Sequence, residues 1–515
     1  MNGVAGAYAE HAGMIHLVGM TARPVQKMKA LIHHTMKPGM DHATYIGMSE
    51  PIRATHTFLW DDEKMASEID RVIIEGVKSR LPVFIYIPTD VVGVQLDAKR
   101  LETSLDTKIV NESSAEDDVV KAVLELIAKA ERPIVLADVL TIRHGGRDLA
   151  RELVDATKFQ AFGTPLSKGV IDETHESYGG LYNGTGLTPS LSFENPLLKV
   201  YIVSFPGVAE AVHTSDLVLN IGPLLSDSNT GAFTRKIKDE NVVLLAHDFC
   251  QIHSKKYDGV HFLPVLARIV SELKKSPQTY NIPKPPKEKI QPPLLNDLKS
   301  GKIEQSYIWQ RLGRFLKPND ILLAESGTAQ FGISDATCPP NTQFITQIFW
   351  SSIGYTVGAC LGALVAAKEM KHKGRVVLIV GEGSLQMTVQ EIGSYIRFGF
   401  TPIIFVINNN GYSIERAING PKQQYNEVSM LWDHQKMLEF FGAREETGIK
   451  SKSYKCETVE SLEKVLEDET FAKAEEISVC EIVMDQFDYP WRLTEQIGIS
   501  KARMAAAAVA AAAAK

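Results

Sequence analysis

Gly381-Glu382-Gly383-Ser384, followed by Asn408-Asn409-Asn410-Gly411-Tyr412, decides the reading of this chain. The apolar run Arg375 to Val380 ends in the first of these stretches, and Leu385 to Phe398 then carries apolar residues at helical spacing. A strand therefore feeds a helix through a glycine turn, which lets backbone N–H groups face an anion. Pro402 to Ile407 is a second strand, so the unit reads β-α-β and the Asn run leaves the second strand beside the first turn. In that arrangement the Glu382 carboxylate, the Asn409 amide oxygen and the Gly411 carbonyl converge as hard oxygen ligands, which suit magnesium better than zinc. Phosphate-facing amides beside a dication site point to a diphosphate cofactor. Two plainer readings compete: a doubly wound unit whose glycines only make a turn, and a nicotinamide site. The second lacks its third glycine, because Gln386 stands there.

The same stretches resemble the signature of thiamine diphosphate enzymes, Gly-Asp-Gly followed further on by Asn-Asn. With Ser384-Leu-Gln-Met-Thr-Val-Gln-Glu391 and Gly411-Tyr-Ser-Ile-Glu415-Arg added, the resemblance is to the fungal pyruvate decarboxylase branch. It extends over nearly the whole chain through Ala7-Tyr-Ala-Glu-His11, Leu31-Ile-His-His-Thr35, Gly222-Pro-Leu-Leu-Ser-Asp227, Ala324-Glu-Ser-Gly-Thr328 and Trp350-Ser-Ser-Ile-Gly354.

The resemblance implies an α/β protein of three doubly wound, parallel-sheet domains, the first incomplete. Asn2 to Gly6 is similar to an internal segment of the family's first domain, so the chain is expected to begin in mid-domain. Strand-like runs at Met14 to Met20 and Leu81 to Pro88 make residues 1–97 a remnant of the pyrimidine-binding domain. Pro133 to Ala137, Asp216 to Gly222 and Val242 to Phe249 punctuate a central α/β domain over 112–276. Within it, 187–204 has no family counterpart and reads as an insertion, either a surface loop or a retained intron. A Pro- and Lys-rich linker follows over 277–302. The diphosphate- and magnesium-binding domain spans 303–487, with strands at Asp320 to Ala324 and Ile477 to Val483, and an alanine-rich tail occupies 488–515.

Roles follow from the resemblance. Decarboxylating a 2-oxo acid leaves a carbanion that needs an electron sink, which thiamine diphosphate supplies. His33 and His34 match the family's His-His pair, which orients substrate and handles protons; imidazole titrates near neutrality. As residues alone, they read rather as an ordinary polar loop. Glu415, at the start of the helix Ser413 to Ile418, matches the acid beside the reacting carboxylate, with its proton held by burial; alternatively it is a carboxylate favoured by a helix N-terminus. Ile353 matches the residue that buttresses the bent cofactor, the Ser351 backbone accepts from the aminopyrimidine, and Ser326, Thr328 and Ile414 line the same pocket. Gly381, Gly383 and Ser384 face the diphosphate. Glu382, Asn409 and Gly411 hold Mg2+.

Three departures stand out. Glu382 replaces the usual Asp, adding a methylene. Ala137-Asp-Val-Leu-Thr141 lacks the cysteine tied to substrate activation, although His11 occupies the associated histidine position. The resemblance implies that the family's N-terminal glutamate, which bonds the aminopyrimidine, belongs to the part expected to be missing before Asn2.

Composition fits such an enzyme. The 515 residues, 44% hydrophobic and 23% charged, suffice for large cores, and a net charge of −7 gives no basic field for nucleic acid. No apolar run spans a bilayer, no secretory signal opens the chain, and the five cysteines have no CxxC spacing, so a cytoplasmic setting is expected. The expected activity is decarboxylation of pyruvate to acetaldehyde and CO2 by a homodimer or homotetramer whose sites are shared between subunits. Alternatives are an aromatic or branched-chain 2-oxo acid decarboxylase and an inactive family member acting only in assembly.

Overall fold

The computed structural model describes residues 1–184, 204, 207–277, 280, 301–428 and 432–501. The insertion (all but Ser204), most of the linker and the alanine-rich stretch expected from sequence lie outside the described residues. The chain divides into two compact units, Met1–Asn111 and Glu112–Lys515.

The first unit holds β1 (Ile15–Met20), β2 (Thr55–Phe58) and β3 (Val83–Pro88) in a parallel sheet of order β1-β3-β2. The amphipathic helix Met65–Ser79 ends at Arg80, which takes the left-handed conformation common past helix ends. Val72 of that helix, Val83 and Ile85 of β3, Leu59 and Met65 form one small core.

The second unit contains two sheets. One comprises β4 (Pro133–Ala137), β5 (Gln160–Gly163), β6 (Tyr178–Leu181), β7 (Leu217–Ile221), β8 (Val242–Leu245), β9 (Phe249–Ile252) and β10 (Lys255–Asp258), in the order β10-β9-β8-β7-β4-β5-β6. Pairing is parallel from β8 to β6 and antiparallel among β8, β9 and β10. The single strand expected over Val242 to Phe249 is thus a hairpin. The chain reverses at Ala246–Asp248, where Ala246 N donates to Phe249 O at 3.0 Å, and the apolar residues on both sides had masked the turn.

The other sheet is wholly parallel: β11 (Ile321–Ala324), β12 (Gln343–Ile345), β13 (Val376–Gly381), β14 (Ile403–Asn408), β15 (Ser451–Cys456) and β16 (Ile477–Val483), in the order β12-β11-β13-β14-β16-β15. Its central strands are apolar throughout because both faces are covered. Alternation divides them cleanly. Leu322, Ala324, Val377 and Ile379 enter one core with Tyr307, Ile308, Leu312 and Leu462, whereas Ile321, Leu323, Leu378 and Val380 enter the other with Val357, Cys360, Ile392 and Tyr395. The helix expected from Leu385 to Phe398 is two pieces, Glu382–Thr388 and Glu391–Arg397. Both halves keep their apolar faces inward, so the periodicity survives the break at Val389-Gln390. These α/β layers agree with the doubly wound architecture read from sequence.

From β11 the chain steps outward to β12 and then crosses to β13, so the winding reverses between β11 and β13. Open α/β sheets bind ligands beyond the carboxyl ends of their strands at such a point.

Candidate active site

Four loops leave the carboxyl ends of β11, β12, β13 and β14, and hydrogen bonds tie them pairwise. After β11, Ser326 Oγ donates to Gln347 O at 2.8 Å, and Gln347 Oε1 accepts from Ser352 N at 2.8 Å. Glu325, 1% exposed, accepts from Ser326 N at 3.0 Å, Gly354 N at 3.3 Å and Thr356 N at 3.1 Å. Burial pushes its carboxyl up, against these donors, which favour the charged form. Thr388 Oγ1 donates to Gly354 O at 2.6 Å, which joins the β12 loop to the helix after β13. Gly354 is obligatory there: its φ is +85°, and a Cβ would lie 2.7 Å from Met387 Cβ.

Glu382 is the first residue of the helix Glu382–Thr388, and the amides of Gly383 and Ser384 in its opening turn have no intrahelical acceptor. Its carboxylate crosses to the next loop and accepts from Gly411 N at 2.5 Å. It is 2% exposed, and burial pushes its carboxyl up, opposed by amide donors from Gly411, Glu382 itself and Asn409. Asn409 is also buried, and its side-chain amide makes no hydrogen bond among the described residues. Gly411 sits at φ +125° with Asn410 at φ 58°, the turn that carries both toward Glu382. Gly383 is needed for close approach, since a Cβ there would lie 2.6 Å from Tyr412 Cε1.

The structure therefore brings together Gly381, Glu382, Gly383 and Ser384 with Asn409 and Gly411. Ile414 reaches back to the β11 loop, its Cγ2 4.0 Å from where a Cβ on Gly327 would stand, between Ser326 and Thr328. Ser351 and Ile353 are exposed on the β12 loop, Ser351 with φ 55° and its Oγ donating to Ile348 O at 2.8 Å. Glu415 is half-buried in the helix Ser413–Asn419 and accepts from Asn419 Nδ2 at 2.6 Å. His33 and His34 belong to the first unit, exposed on a loop, with ring centroids 3.8 Å apart and His34 at φ 70°.

The donor set of Glu382, Asn409 and Gly411 is all oxygen, which fits a magnesium-sized dication. Sequence reasoning passed over three residues here: Glu325; Arg416, whose Nη2 donates to Asn410 O at 3.0 Å; and Glu481 on β16. The signal was present for Glu481, because a carboxylate inside a mostly apolar buried strand needs partners.

Comparisons with known proteins agree with this geometry. Residues 120–273 match the profile "Thiamine pyrophosphate enzyme, central domain", and residues 325–482 match "Thiamine pyrophosphate enzyme, C-terminal TPP binding domain". Pyruvate decarboxylase isozyme 1 of Saccharomyces cerevisiae is 38% identical over 504 residues, covering 98% of this chain and 85% of that protein. Pyruvate decarboxylases of Candida glabrata and Kluyveromyces marxianus are each 37% identical, over 96% of this chain and 84% of their own. With the parallel sheet, the loops at its carboxyl ends and likeness along almost its entire length, the chain belongs to the pyruvate decarboxylase family of thiamine pyrophosphate enzymes.

Proposed function

We propose that the protein decarboxylates a 2-oxo acid, foremost pyruvate to acetaldehyde and CO2, with thiamine diphosphate and Mg2+. The observation that carries this reading is the Glu382–Gly411 bond beside Asn409, which sets oxygen donors next to the open amides of Gly383 and Ser384. Glu382, Asn409 and Gly411 would hold the dication; Gly381, Gly383 and Ser384 would face the diphosphate. Ser326, Thr328, Ser351, Ile353 and Ile414 would line the remainder of the cofactor. When bound, thiamine diphosphate supplies the electron sink for the carbanion left by CO2. Glu415 is the proton donor at the reacting carbon, and His33 and His34 orient the substrate and relay protons during product release.

A homodimer or homotetramer with shared sites belongs to the same reading. It is supported by the apolar side chains around the loops, where Phe349, Trp350, Ile353 and Met387 are each more than 40% exposed, a surface that partners commonly cover. A cytoplasmic location accords with five buried, unpaired thiols.

The test is CO2 release from pyruvate by the 515-residue chain. Release that requires both thiamine diphosphate and Mg2+, and that Glu415→Gln removes while cofactor binding by calorimetry persists, is the expected result. Turnover indifferent to thiamine diphosphate, or unchanged in Glu415→Gln, would overturn the assignment.

A further inference from the structure

Behind the Asn409–Gly411 turn lies a buried carboxylate–imidazole pair that the proposed chemistry leaves unused. Glu481 stands on β16 between Cys480 and Ile482, both fully buried, in register with Val406 of β14. Its Oε1 accepts from Asn408 Nδ2 at 2.6 Å and lies 2.9 Å from His434 Nδ1, and its Oε2 accepts from Gln435 Nε2 at 3.2 Å. Burial pushes the Glu481 carboxyl up, but the bonds from His434 and Asn408 outweigh it and hold the group below its ordinary value. An ionised carboxylate only accepts, so His434 Nδ1 bears a proton and donates to Glu481. His434 is 1% exposed, and Nε2 has no hydrogen-bond partner among the described residues.

One further fact connects this pair to the turn that carries the proposed ligands. Asn408 bonds Glu481 through its amide nitrogen and accepts from Asn410 N at 3.2 Å through its amide oxygen, so one side chain spans the pair and the turn. A carboxylate that receives an imidazole N–H fixes the orientation of the ring, and hydrogen-bonded partners behind the metal ligands are part of how a site holds its metal. As a mere filler of the core, the pair would not need a bond to the turn.

We infer that His434 is a positioning residue of the dication site: by donating to Glu481, which Asn408 joins to Asn410, it fixes the Asn409–Gly411 turn that carries the proposed ligands. The inference rests on the dication site proposed above and extends it beyond the residues that touch the metal.

The test is Mn2+ titration, by calorimetry and electron paramagnetic resonance, of the full chain with thiamine diphosphate present. His434→Leu should weaken Mn2+ binding by about 10- to 100-fold, the usual loss when an outer-shell partner is removed. His434→Gln, which can donate to Glu481, should recover most of that loss. Melting of the metal-free protein checks that both variants are folded; Glu481→Gln, which keeps the side-chain volume, replaces His434→Leu should the latter not fold, with the same loss expected. Mn2+ binding by the folded variants equal to that of the unmodified chain would overturn the inference alone. Failure of the unmodified chain to bind Mn2+ would overturn the dication site and the inference with it.

Discussion

Gly411→Ala attacks the turn that places the proposed metal ligands. Its φ of +125° is a region that residues with a Cβ rarely occupy, and a Cβ there would lie 2.5 Å from Asn426 O and 2.9 Å from Arg416 Nη2. Neither neighbour gives way easily. Asn426 O accepts from Tyr412 N at 2.7 Å, and Arg416 is pinned to Pro421 O and Asn410 O, each at 3.0 Å. The backbone conformation costs about 1–3 kcal/mol, and crowding against fixed atoms adds about 1–3 kcal/mol. Gly399→Ala is the control: its φ is +67° and nothing lies within 4 Å of the added Cβ, so only a left-handed cost of about 1–2 kcal/mol applies. With the backbone costs taken as equal, urea denaturation followed by circular dichroism should therefore show Gly411→Ala to be the less stable variant by about 1–3 kcal/mol, the crowding cost. Mn2+ titration should show weaker binding in Gly411→Ala and unaltered binding in Gly399→Ala. Equal losses of stability in the two, or unaltered Mn2+ binding in Gly411→Ala, would refute the reasoning.

Lys168 and Glu173 pair at 3.0 Å with side chains 1% and 3% exposed, and Lys168 Nζ also donates to Ala336 O at 2.7 Å. Lys168→Met leaves the Glu173 charge buried and should cost about 3–5 kcal/mol, with Lys168→Met/Glu173→Leu recovering much of it in thermal denaturation; a double variant no more stable than the single one would contradict this. Glu325 sets a pH dependence. Its folded carboxyl is raised by burial, so its contribution is fully present below the unfolded pKa and is lost as pH rises through the folded one. The stability of Glu325→Gln relative to the unmodified protein should thus improve as pH rises across that window, and a difference independent of pH would count against a raised carboxyl.

The parts of the fold legible in sequence were those written locally. Pro133–Ala137 and Ile477–Val483 are strands with the boundaries their apolar runs suggest, because neighbours in sequence decide a buried parallel strand. The glycine and asparagine stretches likewise marked two of the four loops that meet at the site. Tertiary facts were less legible. The break at Val389-Gln390 leaves helical periodicity intact, and the hairpin at Ala246–Asp248 joins two strands that each look like a continuation of the other. His434 and Glu481 are 47 residues apart, and only the pairing of β14 with β16 brings Asn408 between them and the turn.

Glu382, whose side chain is one methylene longer than an aspartate's, joins two loops. A carboxylate on the first residue of a helix ordinarily stays near its own opening amides, which favour negative charge. Here the longer arm also crosses to the neighbouring loop and takes the Gly411 amide, so the loops after β13 and β14 are joined by a bond wholly within the protein. The other loops are fastened in the same way, β11 to β12 through Ser326 and Gln347, and β12 to β13 through Gly354 and Thr388. Order among the oxygen donors thus precedes any metal, and a ligand that binds a preorganised site spends less of its binding free energy on arranging it. The same bonds identify what the loops leave to others. Ile353 and Trp350 remain 44% and 43% exposed while Glu382 is 2% exposed, so the bonded turns are closed and apolar side chains of the β12 loop are left uncovered. In the proposed assembly those apolar side chains are what a second copy would cover.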